Sequence, residues 1–247
     1  VPLTDLGAEG VLLAGGGRAI LLQLANPAVG HAVARHSNFA ADPLRRLRNT
    51  LTYVYALVFG TPAQVAKVTA MVRRAHEPVR SDAYDAGDAR LQLWVAATLY
   101  DTATLLHERI FGPLSDADAD GVYREYAVVG TALGMPRELW PADRAAFRAY
   151  WNESLAELSV DDEVRAVCRQ LLHPKSGPLW LRAVMPLAGL VTAGLLPPEL
   201  RAAYDLPWSD RRQRRFERFL RVVAFVVPRL PRAVRRWPKD HYLRALG

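Results

Sequence analysis

Prolines cut this chain into pieces of helix length. Asp42-Pro43 and Thr61-Pro62 each place a capping side chain before proline at the first helical position, where the missing N–H is not needed. Pro141 stands at a third such start. Pro78, Pro113 and Pro136 stand where helices must stop, because proline donates no hydrogen bond and its ring clashes with the carbonyl four residues back. Between these marks the apolar residues recur at steps of three and four. Ala and Leu are abundant, Arg greatly outnumbers Lys, and β-branched runs bounded by turns are few. The expected class is all-α. With 247 residues, 51% of them hydrophobic, the chain is expected to form a single helical domain over residues 1–247, near the upper size for one core.

The segment Pro43 to Gly60 reads as one long helix on which Arg46, Asn49, Thr50, Tyr53 and Leu57 share an unusually polar face. Pro62 to Glu77 follows, with Val65, Val68, Thr69, Val72, Arg73 and His76 in one stripe. Pro78 puts His76 in the last turn, one turn beyond Arg73 on the same side. An arginine and a histidine buried together need an anionic partner. Leu91 to Phe111 is a strongly amphipathic helix, and further helices are expected over Asp120–Met135, from Pro141, over 161–173 and over 199–205. Asp116 to Asp120 (DADAD) reads as a solvated helix start, because it lacks the central glycine and distal glutamate of a calcium loop. Gly15-Gly16-Gly17-Arg18 is read as a helix-to-helix turn. The alternative, a phosphate cradle, lacks both a Walker pattern and a preceding strand.

The apolar stretch Ala183 to Pro198 is shorter than the ~20 residues of a membrane span. Its prolines and glycines point to a buried helix or re-entrant core segment. No secretory signal is visible, and the absence of an initiator Met leaves a removed targeting segment open. The single cysteine, Cys168, excludes an intramolecular disulfide and a Cys-rich zinc site, and is expected to pack as a small apolar residue in a reducing compartment. From Arg201 onward 13 Lys plus Arg face 4 Asp plus Glu, so the net charge of +7 belongs to the tail. Phe216, Phe219, Leu220, Val223 and Val227 recur there at helical spacing with arginines opposite. That pattern fits a core-docking helix with a solvated basic face; contact with anionic membrane or nucleic acid is the other reading.

None of the six histidines belongs to HExxH or to a His/Cys cluster, and no GxSxG elbow occurs. His76 by itself remains open between a metal ligand, a catalytic base and a helix-end residue. A lone histidine beside arginine and threonine does suit haem, whose iron takes one axial imidazole and whose propionates need cations or hydroxyls.

The ordered segments LLQLANPAVGHAVARHSNFAADPLRRLRNTLTYVYALVFG, VRRAHEPVR, LQLWVAATLYDTATLLHERIFGPL and YREYAVVGTALGMPRELWP resemble the DUF2236 family, also called the MpaB oxygenase or latex-clearing-protein (rubber oxygenase) family. The resemblance covers a core of about residues 7–160, followed by basic C-terminal helices over 199–247. It implies an all-helical, globin-like haem b fold in which the histidine of an RxxH motif, here His76 after Arg73, is the axial iron ligand. It further implies that Arg46 and Thr50, matching R-x-x-K-T, line the distal pocket or haem edge, and that Arg73 and Arg46 serve the propionates or the distal side. Asn49 stands where the family pattern has lysine, and Ala96 where WVHATL has histidine. The function implied is a haem b oxygenase using O₂ or peroxide on an apolar, unsaturated small molecule. A haem sensor, carrier or peroxidase-like protein is the alternative, and a helical binding protein with a basic tail the third. Expected partners are the apolar substrate, O₂ and an anionic membrane surface through the basic tail. Nucleic acid is not expected, and the expected location is cytoplasmic or membrane-peripheral.

Overall fold

The computed structural model describes residues 1–36, 43–81, 84–174 and 178–244; the side chains of residues 35–36, 43–47 and 80–81 also lie outside what it describes. Ser37–Asp42, expected to supply loop and capping chemistry, and the Arg46 side chain fall outside it. The chain runs α1 (Leu3–Gly7), a 3₁₀ turn (Gly10–Gly15), α2 (Gly16–Ala25), α3 (Pro27–His36), α4 (Pro43–Phe59), α5 (Pro62–His76), α6 (Ala89–Phe111), α7 (Asp116–Tyr126), α8 (Val128–Thr131) and a 3₁₀ turn (Arg137–Leu139). There follow α9 (Arg144–Ala156), α10 (Asp162–Leu172), α11 (Leu179–Leu195), α12 (Pro198–Ala203), α13 (Asp210–Val226), a 3₁₀ turn (Val227–Arg229) and α14 (Arg232–Arg244). The class is all-α. Between α5 and α6, β1 (Arg80–Ser81) and β2 (Tyr84–Asp85) pair antiparallel, a two-residue ladder in a stretch the sequence reads as loop.

Local chemistry sets the boundaries. Thr61 and Gln64 form a reciprocal capping box at the head of α5. Ser115 accepts from the Asp118 N–H at the head of α7, and Arg144 bonds Asp120 at 2.5 Å and Asp116 at 2.7 Å, so the DADAD run is a capped, ion-paired helix start. The helix expected from Pro141 begins at Arg144 instead, because the Asp143 carboxylate accepts from the Ala146 N–H at 2.8 Å and caps it there.

α6 lies at the centre, against α2, α8, α13 and the first 3₁₀ turn. Trp94 stacks on Trp151 with centroids 5.3 Å apart and donates its indole N–H to the Leu22 carbonyl at 3.2 Å. Tyr100 meets Tyr123, Tyr126, Trp140 and Phe147 edge-on. Cys168 is buried, and burial pushes its thiol up to about 12, which leaves it an unreactive apolar residue. The glycine cluster serves close packing. A Cβ on Gly15 would stand 2.5 Å from Thr102 Cγ2 of α6, and one on Gly17 2.1 Å from Thr192 Oγ1 of α11. Its arginine, Arg18, points inward: it donates to the Leu195 carbonyl at 2.9 Å, to Thr102 Oγ1 at 2.6 Å and to Asp101 Oδ2 at 2.6 Å.

The segment expected to be buried at Ala183 to Pro198 is so only in its second half. Leu190, Val191, Ala193 and Leu195 are buried, whereas Val184 and Leu187 are exposed, as is Trp180 just before the segment. Phe216 is packed so closely on α11 that a Cβ at Gly194 would meet its ring at 2.5 Å. Among the described residues no helix is long and apolar enough to cross a membrane.

Candidate functional site

α5 reaches His76 and ends there. The Glu77 N–H still bonds the Arg73 carbonyl at 2.9 Å, but the Val79 N–H turns back to the His76 carbonyl at 2.9 Å, as Pro78 requires. His76 is half-buried and lines a groove of about 1060 Å³ between α5, the start of α6 and the chain after α8. Arg73 and Arg74 share this groove, and Arg73 is anchored by a 3.1 Å bond from Nη2 to the Ala132 carbonyl. Three further polar side chains line it, Thr69, Glu77 and Gln92, and two of them hold a buried atom with no hydrogen-bond partner: Thr69 Oγ1 and Gln92 Oε1. Buried polar atoms are almost always satisfied, so an unpaired hydroxyl and an unpaired amide oxygen in one groove mark a place built for a polar ligand. Nearby, Tyr53 donates to the Val129 carbonyl at 2.8 Å. Burial pushes its phenol well above the usual range, against the opposing pull of Arg73, so it stays protonated.

Thr50 lies elsewhere. With Val54, Tyr55, Ile20, Leu99 and Tyr126 it lines a second, apolar cavity of about 130 Å³ between α4, α2 and α6. The structure therefore brings Arg73 and His76 together and sets Thr50 on a neighbouring cavity. Both cavities touch α6, one at Gln92 and the other at Leu99; seven residues on a helix face put them about 10 Å apart. Between them on the same helix, Ala96 is buried beneath Gly130. A Cβ on Gly130 would stand 3.5 Å from that of Ala96 and 2.8 Å from Met135 Sδ, so Gly130 is the residue that must stay small for Ala96 and Met135 to pack there. Asn49 is exposed.

Sequence reasoning placed Thr69 on the inward stripe without giving it a role, and it passed over Gln92 altogether. A lone glutamine in an apolar helix has no signature until its neighbours are known. Reasoning from sequence also missed Glu9, which is buried between Arg235 at 3.2 Å and Arg236 at 3.6 Å of α14. Elsewhere His31, Asp161 and Glu163 offer ligand atoms within 4.8 Å of one another. Asp161 caps α10 by accepting from Val164 at 2.9 Å and meets His31 Nε2 at 2.6 Å, a bond that holds its carboxyl below the usual range. The positive end of α10 disfavours a cation there, and the group reads as a helix cap.

An imidazole at a helix end, two guanidinium groups, a hydroxyl and an amide in one groove can hold a planar group that carries both a metal and carboxylates. Residues 4–225 match the family described as ER-bound oxygenase mpaB/B′/rubber oxygenase, catalytic domain. Uncharacterized proteins of Mycobacterium bovis and Mycobacterium tuberculosis are each 40% identical over 222 residues, covering 86% of this chain and 87% of theirs. Among solved structures, latex clearing protein in its closed state superimposes with a TM-score of 0.72 at 19% identity, over 99% of this chain and 73% of that one, a likeness of fold. The chain belongs to the mpaB/rubber oxygenase catalytic-domain family.

Proposed function

We propose that this protein is a haem b-dependent oxygenase acting on an apolar, unsaturated small molecule, with His76 as the axial ligand. The observation that carries the reading is the groove at the end of α5, where His76 stands beside Arg73, Arg74 and the unpaired Thr69 Oγ1 and Gln92 Oε1. The residues present fit the group. His76 offers the single imidazole nitrogen, Arg73 and Arg74 offer cations for the propionates, and the two unpaired oxygens are ready to bond a polar edge or ordered water. Bound haem would supply the one-electron and O₂ chemistry that amino-acid side chains lack.

The chain's own residues do the rest. The Arg73 guanidinium, held by the Ala132 carbonyl, keeps its remaining N–H groups in a fixed direction. Tyr53, held neutral by burial, braces α4 against the chain at Val129 without adding charge to the pocket. The cavity at Thr50, walled by Val54, Leu99 and Ile20, excludes water and suits a hydrocarbon with one polar contact at the threonine hydroxyl. Arg46, from the same helix, is assigned to the distal side or haem edge. Asn49 offers no amine as a ligand and Ala96 offers no imidazole, so the distal side has fewer basic groups than the family pattern. That difference favours, as a second reading, haem binding without oxygenation.

The test is direct. The purified chain should take up hemin and show a Soret band whose position changes in His76→Ala and recovers with added imidazole. A protein that stays colourless with excess hemin overturns the proposal. Oxygen consumption with isoprenoid and unsaturated lipid candidates then separates the oxygenase from the carrier.

A further inference from the structure

α13 docks as its spacing predicts, with Phe216 and Leu220 buried, Phe219, Val223 and Val227 packed beside them and its arginines in solvent, but its end and the start of α14 also leave apolar side chains in solvent. α14 turns its cations inward: Arg235 and Arg236 face Glu9, and Arg236 Nη2 bonds Asp5 at 2.9 Å. Pro238 sits over Gly10, and Lys239 lies over the Phe59 ring. Beside exposed Arg232 and Asp240, Val234 is 58% and Trp237 56% exposed. The end of α13 repeats the pattern. Phe216 and Leu220 are buried, yet Val222, Phe225 and Val226 at steps of three and four are exposed, Phe225 at 62%, and Leu230 follows in the linking turn. A helix docked on a globular core exposes its polar side; these two do so but add exposed valine, phenylalanine and tryptophan where they meet.

Arginines surround this surface. Arg214, Arg215, Arg218, Arg221, Arg229 and Arg232 are exposed, and among the described residues none of them makes an ion pair. Arg229 stacks over the Phe225 ring at 3.9 Å from its centroid, so cation and apolar group form one surface. Nucleic acid complements positive charge but gives exposed valines nothing to enter. A second copy of this chain would bring its own arginines against these. An anionic bilayer complements both features, with phosphates for the arginines and acyl chains for the aromatic and branched side chains.

We propose that the corner formed by the end of α13 and the start of α14 is a membrane-docking surface, which inserts Val222, Phe225, Val226, Leu230, Val234 and Trp237 into the interfacial layer of a bilayer rich in anionic lipid. With no spanning helix among the described residues, the attachment is peripheral and reversible. It does not depend on what the His76 groove holds.

The experiment is flotation of the full chain with vesicles of phosphatidylcholine alone and of phosphatidylcholine mixed with phosphatidylglycerol, at low and high salt. Wild type should float with the anionic vesicles, less so at high salt, and the indole emission contributed by Trp237 should shift to the blue. Phe225→Asp with Val234→Asp should lose binding about tenfold or more while melting as wild type does, since both side chains are exposed. Arg218→Gln, Arg221→Gln and Arg232→Gln should each weaken it roughly fivefold and flatten the salt dependence. Trp180→Asp with Val184→Asp on the exposed half of α11 should leave binding unchanged. The proposal is overturned if wild type ignores anionic vesicles or binds neutral ones equally, or if loss follows the α11 substitutions instead. It is also overturned if sedimentation shows a dimer that Phe225→Asp dissolves, or if duplex DNA binds with an affinity unaffected by Phe225→Asp.

Discussion

Replacing Arg18 by methionine removes the one cation that ties α2 to α6 and to the end of α11. The Arg18 side chain is 5% exposed and its partner Asp101 25%. Deleting one member of a buried pair costs about 3–5 kcal/mol, because the other is left without compensation. Here the lower end applies. Asp101 is open enough to recruit water, and burial already raises its pKa despite the opposing pull of Arg18, so it can take up a proton when the cation is gone. Unfolding entropy of about 2.1 cal/mol/K per residue, over this chain, amounts to roughly 0.5 kcal/mol/K, so a loss of about 3 kcal/mol lowers Tm by about 6 °C. Thermal melts followed by circular dichroism measure this for Arg18→Met, Asp101→Asn and the double variant. The double variant should recover part of the single loss, since no uncompensated carboxylate remains. The Arg18→Met deficit should also shrink as pH falls, because a carboxyl with a raised pKa is penalised only while ionised. A melt within about one degree of wild type, or a double variant that loses the full sum of the two singles, refutes the reasoning.

Glu9→Gln should release α14, since Arg235 and Arg236 lose the charge that holds them; trypsin should then cut within 232–244 faster while the core melts nearly unchanged, and unaltered protection rules the latch out. His107 is buried, which lowers its pKa below 6.5. Below 6.5 the unfolded chain therefore binds more protons than the folded one, and stability falls as pH drops from there toward the folded pKa. His107→Leu should flatten that part of the Tm-against-pH curve, and a curve with the same slope would assign it to other groups. Ala96→His should cost about 1–3 kcal/mol by overpacking a site where the alanine is fully buried. An unchanged melt for Ala96→His would mean that packing is not what keeps the residue at 96 small.

The helices were legible because their limits are local. Thr61 with Pro62, Ser115 before the acidic run, and Pro78 after His76 act within one turn, and a turn is visible in sequence. That Arg73 and His76 share one side of α5 was legible for the same reason, but the expected burial of the pair was not met: Val68 is buried, whereas Arg73 is exposed and His76 half-buried at the mouth of the groove. The β1–β2 ladder and the later start of α9 were not, because each depends on competition between alternative local partners. Tertiary structure alone decided three further matters. It made Gly15-Gly16-Gly17 a close approach of helices and Arg18 an internal brace, since only packing shows what a missing Cβ leaves room for. It set Thr50 on a cavity separate from His76 and joined Thr69 to Gln92, residues more than twenty positions apart. And it turned Arg235 and Arg236 of α14 inward onto Glu9 while leaving Val234 and Trp237 in solvent, an arrangement no periodicity can show. Period says which residues share a face; only the neighbours decide whether that face meets the core, water or something else.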